Sequence, residues 1–239
     1  MTNPTAAILV IGDEILSGRT REGNAHYLAG ELTVRGIQLM EVRVVADDQP
    51  AIMAAVNALR GAWDHVFTSG GIGPTHDDIT ADAIAAAFGV AITHRADAMA
   101  LLTAHYERAG LPFNAARQRM ARIPDGAVLI DNPVSTAPGF SLGNVHVMAG
   151  VPNIFQAMVA SVLPTLTGGD PLLSQSLRVN RGEGEIAGPF GALAAEFPDL
   201  AMGSYPFTLN GAHGTNLVIR GADAGRLDAA MTRLMALFG

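Results

Sequence analysis

No cysteine occurs in the 239 residues, so a disulfide framework and a thiolate metal site are both excluded, and a reducing, cytoplasmic setting is expected. Aromatic residues make up only 5% of the chain, so a core must be built mainly from Ala, Val, Leu, Ile and Met. Basic residues are outnumbered, 15 Lys and Arg against 22 Asp and Glu, and nothing gathers them into a stripe. The net charge of −7 therefore speaks against a nucleic-acid backbone as partner. No apolar run approaches the roughly 18 residues that a membrane-spanning helix needs. The opening "MTNPTAAILVIGDE" has no basic n-region and runs quickly into acids, so a signal peptide is not expected.

What is present is a regular alternation. "AAILVIG" reads as a buried strand, "GNAHYLAGELTVRG" as a helix, "IQLMEVRVVA" as a strand and "QPAIMAAVNALRGA" as a helix with Pro50 in its first turn. "DHVFTSG" is strand-like again, and "DDITADAIAAAFG" reads as a helix carrying three acids in its early turns. Repeated strand–helix units predict an α/β domain whose mainly parallel sheet is covered on both faces. Further on, "RADAMALLTAHYERAG" and the short, basic "NAARQRMARI" read as helices. "GAVLIDNP", "APGFSLGN" and "VHVMAG" read as strands, before the helix "PNIFQAMVASVLPTL". "TGGDP" is the best linker, which divides the chain into residues 1–168 and a small α+β domain at 169–239 with a β-α-β-β-α order.

Ligands of such sheets bind at the carboxyl ends of the strands. Three chemically loaded loops fall there: Gly12 to Gly18, Asp47–Asp48, and Gly70 to Asp78. In "SGGIGPTHDD" the glycines Gly70, Gly71 and Gly73 permit a nest of backbone amides that suits a phosphate, reinforced by the following helix N-terminus. Asp77 and Asp78 would repel that phosphate unless a divalent cation bridged them, with Mg²⁺ suited to all-oxygen ligation. The plainer alternative is that these acids only cap the helix. Asp13 and Glu14 are placed for metal or general-base work, or form a solvated acidic loop; Asp47 and Asp48 equally have an ordinary use as an N-cap before Gln49–Pro50. The histidines lack zinc-ligand spacing, and Ser69 lacks the setting of a nucleophile elbow.

Taken together, "VIGDEILSG", "VADD", "TSGGIGPTHDDITADA", "NPVSTAPGF" and "GVP" resemble the N-terminal region of the CinA family, within the MoaB/Mog group of molybdopterin-binding domains. "RVNRGEGEI" and "GSYP…LVIRG" resemble that region's small second domain. The resemblance implies a three-layer MoaB/Mog-like domain followed by the α+β domain. It also implies either divalent-metal-dependent hydrolysis of a nucleotide pyrophosphate such as ADP-ribose or FAD, or molybdopterin binding in cofactor biosynthesis. A non-catalytic ligand-binding module is the third possibility. Matched by motif, Asp47 and Asp78 fall on the group's functional carboxylates, and Gly70, Gly71 and Gly73 on its phosphate- or pterin-binding loop. The expected ligand-binding set is Gly12, Ser69, Gly70, Gly71, Gly73 and Thr75, and the expected metal ligands are Asp13, Asp47 and Asp78, holding Mg²⁺, Mn²⁺ or Co²⁺. The expected partner is a small phosphorylated nucleotide or a pterin, bound by a homo-oligomer, dimer or trimer, with no membrane or nucleic acid involved. Two positions depart from the family pattern: Ala149 replaces proline in "MAGVP", and Ile186 replaces serine after Glu185. The chain ends at Gly239 without room for the family's C-terminal nicotinamide-nucleotide deamidase domain, so that activity is not expected.

Overall fold

A computed structural model describes residues 3–209 and 211–239 and divides into two compact units, Met1–Gly169 and Asp170–Gly239. The first unit opens with β1 (Thr5–Ile11), the short helix α1 (Asp13–Leu16), α2 (Asn24–Val34), β2 (Gln38–Val45), α3 (Gln49–Ala62) and β3 (His65–Ser69). It continues through α4 (Thr80–Phe88), β4 (Ile92–His94), α5 (Ala96–Arg108), α6 (Ala115–Gln118) and β5 (Arg122–Pro124). Strands β6 (Val128–Ile130), β7 (Gly139–Leu142) and β8 (Val145–Met148) and helix α7 (Pro152–Val162) complete it. The sheet order is β2-β1-β3-β8-β7-β6, parallel from β2 to β8 and antiparallel across β7 and β6.

Strand periodicity explains the layering. Ala7, Leu9 and Ile11 of β1 pack with Ile52, Val56 and Leu59 of α3 and with Ala83 and Ile84 of α4. The alternate residues Ala6, Ile8 and Val10 pack with Leu28 and Leu32 of α2 and with Phe155, Met158 and Val162 of α7. A strand buried on both faces must be apolar throughout, which is why "AAILVI" reads as an unbroken run rather than an alternation. The result is helix, sheet, helix: the three-layer, mainly parallel architecture that the alternation of elements implies.

Some local expectations fail. "NAARQRMARI" is not one helix: α6 ends at Gln118, a single 3₁₀ turn spans Arg119–Ala121, and β5 then pairs with β4. Arg122 is drawn into that strand by the carboxylate of Asp82, which accepts two hydrogen bonds at 2.6 and 2.8 Å. Helix α4 begins at Thr80, three residues later than the sequence suggests, and only Asp82 lies in its first turn.

In the second unit β9 (Leu173–Val179), α8 (Glu183–Glu196), β10 (Ala201–Leu209), β11 (Ala212–Gly221) and α9 (Ala224–Phe238) form an antiparallel sheet of order β10-β11-β9 with two helices. Its core joins Val179, Ile186, Leu193, Leu217, Ile219, Leu227 and Leu234. Ile186, at 1% exposure, belongs to that core, which explains why an aliphatic residue stands there. Among the described residues no helix is long and apolar enough to cross a membrane.

Candidate functional site

The strand order reverses direction at β1, with β2 on one side and β3 on the other, so the loops leaving β1 and β3 diverge and open a crevice. A cleft of about 520 Å³ lies there, within the usual range for small-molecule sites. Glu14, Asp47 and the stretch Gly70–Pro74 with Asp77 and Asp78 all line it, so the three acidic loops do converge. Asn132, Ser135 and Gly150 close another side. Ile72, Met120, Ile154 and Met158 give it an apolar wall.

The glycine loop is specified sterically. Gly70 has φ +113°, and a Cβ there would lie 2.2 Å from the Ile11 carbonyl oxygen; Gly71 has φ +69°, and its Cβ would meet Thr80 Oγ1 at 2.1 Å. The buried Thr80 fixes the loop from behind, donating from its hydroxyl to Gly70 O at 3.0 Å and from its N–H to Gly71 O at 3.0 Å. The N–H groups of Gly71, Ile72 and Gly73 have no acceptor among the described residues, which leaves three consecutive donors for an anion.

Asp78 does not cap α4. Its Oδ2 accepts from the N–H of Thr75 at 2.8 Å and from the Thr75 hydroxyl at 2.5 Å, so it closes the turn before the helix. Nothing in that role needs the other oxygen. Arg119 supports the same turn, donating to the Asp78 carbonyl at 3.1 Å, while its own Nε is buried without a partner among the described residues. The Asp47–Asp48 pair separates cleanly: Asp48 is the N-cap of α3, accepting from Ala51 N–H at 2.9 Å. Asp47 faces the cleft, accepts from Asp13 N–H at 2.9 Å, and has its carboxyl held above the usual aspartate range, chiefly by burial and then by the neighbouring charges of Asp13, Glu14 and Asp77.

The remaining expected residues have different stations. Gly12 N–H is engaged by Val45 O at 3.2 Å and the residue does not line the cleft. Ser69 is buried, and its hydroxyl accepts from Asn24 Nδ2 at 2.8 Å. Thr75 spends its donors on Asp78. Asp13 lies outside the cleft lining and Glu14 lies within it. Asp13, Asp47 and Asp78 are therefore not gathered into a preformed cage, and no three His, Cys, Asp or Glu side chains are so gathered among the described residues. The donors on the cleft wall are carboxylate oxygens, which suit Mg²⁺ or Mn²⁺ in the mode where one or two protein carboxylates act and the ligand's phosphates complete the shell.

Sequence reading missed Asn24. It is buried at the start of α2 and donates both to Ser69 Oγ and to Gly150 O, each at 2.8 Å, tying α2 to the ends of β3 and β8. An asparagine directly after Gly23, where a helix begins, was the available signal. In the "MAGVP" loop, Ala149 supplies an N–H that proline lacks, and it points at Met158 Sδ, 3.4 Å away.

Residues 7–168 match the family model described as "Probable molybdopterin binding domain", and residues 171–239 match the middle domain of FAD synthase. A CinA-like protein of Syntrophus aciditrophicus is 37% identical over 164 residues, 66% of this chain and 39% of that protein. A protein of Pyrobaculum arsenaticum is 36% identical, with 84% of this chain and 79% of that protein aligned. A "Probable FAD synthase" of Caenorhabditis elegans is 31% identical, covering 98% of this chain and 50% of its own length. The match thus spans well under two thirds of the CinA-like and FAD synthase relatives. Among solved structures, the CinA protein "with unknown function" of Thermoplasma acidophilum aligns over 69% of this chain and 99% of its own at 33% identity, with a TM-score of 0.63.

Proposed function

The chain belongs to the molybdopterin-binding domain family, and on that premise we propose that it hydrolyses the pyrophosphate of a dinucleotide-type substrate, FAD or ADP-ribose, with a divalent metal. One observation carries the reading. The glycine loop, whose three amides have no acceptor among the described residues, lines a cleft with four carboxylates, Glu14, Asp47, Asp77 and Asp78, and no basic side chain, while Arg119 and Arg122 line a small adjoining pocket on the same loop. A diphosphate on those amides is repelled by the acids unless a cation stands between them.

In this mechanism the N–H groups of Gly71–Gly73 hold one phosphate and orient the scissile bond. Asp47 and Asp78 supply the carboxylates that would hold Mg²⁺ or Mn²⁺. A divalent ion held there would neutralise charge on the diphosphate and acidify nearby water. With Asp47 and Asp78 engaged in that way, the attacking water gives up its proton to solvent as it adds to phosphorus; the bridging P–O bond breaks, and the departing phosphate carries its electron pair. The likeness of residues 171–239 to the FAD synthase middle domain favours a flavin dinucleotide.

The apolar wall of Ile72, Met120, Ile154 and Met158 suits a flat ring and favours a second reading, molybdopterin binding without turnover. Incubation with FAD, ADP-ribose and molybdopterin, with and without Mg²⁺, Mn²⁺ or Co²⁺, separates the two. Mononucleotide release that stops in EDTA and resumes with metal is expected; full turnover in excess EDTA overturns the mechanism, and saturable molybdopterin binding with no turnover supports the second reading.

A further inference from the structure

Beside the cleft lies a smaller pocket of about 70 Å³, lined by Thr20, Glu22, Asn24, Ser69 and Gly150 among others. It adjoins the cleft, because Glu14, Thr20 and Gly150 line both. Its volume is several times what one water molecule requires. Its chemistry differs from that of the amide nest: hydroxyl, carboxamide and carboxylate groups of side chains face it instead of backbone donors.

Glu22 is the telling residue. One carboxylate oxygen accepts from the N–H of Ala25 at 2.8 Å, which fixes the side chain at the start of α2. The other oxygen is buried and has no hydrogen-bond partner among the described residues. A buried carboxylate oxygen without a donor is costly, and such an atom beside a pocket marks a place where a donor is supplied from outside. An anion is the wrong visitor, since Glu14 and Glu22 outnumber the one basic residue of the lining, Arg21. A neutral group rich in O–H donors is the right one. Carboxylates accept from sugar hydroxyls in this manner at the edge of other nucleotide-binding crevices in parallel sheets.

We propose that this pocket is a ribose subsite, in which Glu22 accepts hydroxyl donors of the sugar while the attached phosphates lie on the Gly71–Gly73 amides. The assignment rests on the phosphate reading of the cleft. It places the sugar on the α2 side of the glycine loop, and leaves the wall of Ile72 and Met120 to the base or flavin ring.

The test compares three probes in the presence of Mg²⁺: ADP, 2′,3′-dideoxy-ADP and inorganic pyrophosphate, with binding measured by calorimetry on the full chain. Wild type is expected to bind ADP about tenfold or more tighter than the dideoxy compound, the scale of a hydrogen bond to a charged group. Glu22→Gln retains an oxygen for Ala25 N–H, so it should fold with an unchanged melting temperature. Its ADP affinity should fall to the dideoxy level, with dideoxy-ADP and pyrophosphate affinities unaltered; Glu22→Ala should behave likewise. Equal wild-type affinity for ADP and dideoxy-ADP overturns the subsite while the phosphate reading stands, and so does unchanged ADP binding in both variants. A loss of pyrophosphate binding in the variants overturns it too, because Glu22 then supports the cleft as a whole. If wild type binds none of the three, the phosphate reading fails and the subsite falls with it.

Discussion

Asp13 and Asp47 hold one another across the ends of neighbouring strands: Asp13 N–H donates to Asp47 Oδ2 at 2.9 Å, and Asp47 N–H to Asp13 Oδ1 at 3.4 Å. The reciprocal contact fixes the loop after β1 against the loop after β2. It also brings Asp13 and Glu14 close enough to raise the proton affinity of Asp47.

That arrangement sets function against stability at Asp47. Its folded pKa lies above the ordinary 3.8, so the native state binds the proton more tightly and the ionised form is a burden above the raised pKa. Asp47→Asn keeps an acceptor for Asp13 N–H and removes the burden. The melting temperature at pH 7 should rise by about one to three degrees, a small gain because the side chain is partly solvated. The advantage over wild type should shrink as pH falls through the raised pKa and vanish below the ordinary value. Metal-dependent turnover should be lost. A lower melting temperature at pH 7 counts against this account of Asp47.

The glycine loop makes a steric prediction. At Gly71 an added Cβ meets Thr80 Oγ1 and sits at φ +69°, whereas Gly89, the C-cap of α4, has a similar φ of +66° but open space. Gly89→Ala should cost about 1 kcal/mol, from left-handed backbone alone. Gly71→Ala should cost roughly 2–4 kcal/mol, because the contact from Thr80 to Gly70 must break as well. Urea denaturation of the two variants checks the difference, and equal costs would show that Thr80 does not clamp the loop.

How far the site was legible follows from the same residues. The unbroken apolar run of β1 and the glycine cluster after β3 are local signals, and they locate the sheet and the strand ends at which the cleft opens, whereas the strand order rests on pairings distant in sequence. Helix α4 starts later than its run of acids suggests because a turn closed by the Asp78 side chain onto Thr75 competes with helix capping, and sequence spacing does not separate the two. Asn24 escaped notice because its partners lie 45 and 126 residues away. Strands β4 and β5 have three residues each, too few to show a period of two. Glu22 gave no pattern at all; its vacant oxygen is a fact of packing.

A pH prediction arises at the opposite end of the sheet. His146 is buried, bonded through Nδ1 to Ser141 Oγ at 2.8 Å, and stands 3.4 Å from His65 Nδ1. Burial, with His65 adding to it, lowers its pKa to about 4 from an ordinary 6.5. The unfolded chain therefore binds this proton where the native one does not, and stability present above pH 6.5 is lost as pH falls toward 4. By pH 5 the loss should reach about 2 kcal/mol. His146→Gln does not titrate, so its stability should fall less between pH 7 and pH 5. Parallel pH profiles for the two proteins would remove His146 as the cause.

Asp78 offers the sharpest separation of structure from chemistry. Its structural work is to accept from Thr75 through one oxygen, and an asparagine placed there accepts the same two hydrogen bonds. Gly73 would remain unstrained, since the side chain that crowds its missing Cβ keeps its size. Asp78→Asn should accordingly leave the melting temperature within about two degrees of wild type. What it removes is the charge that the proposed metal site requires. Turnover of FAD or ADP-ribose should fall on the order of a hundredfold or more, the scale of losing an acid–base or metal-positioning group. Raising the Mg²⁺ concentration should recover part of the loss if the defect is in metal affinity. Unchanged turnover would return Asp78 to the turn alone. A parallel collapse of stability and rate would show that the Thr75 contact needs a full carboxylate, and a lost rate would then no longer argue for chemistry at this residue.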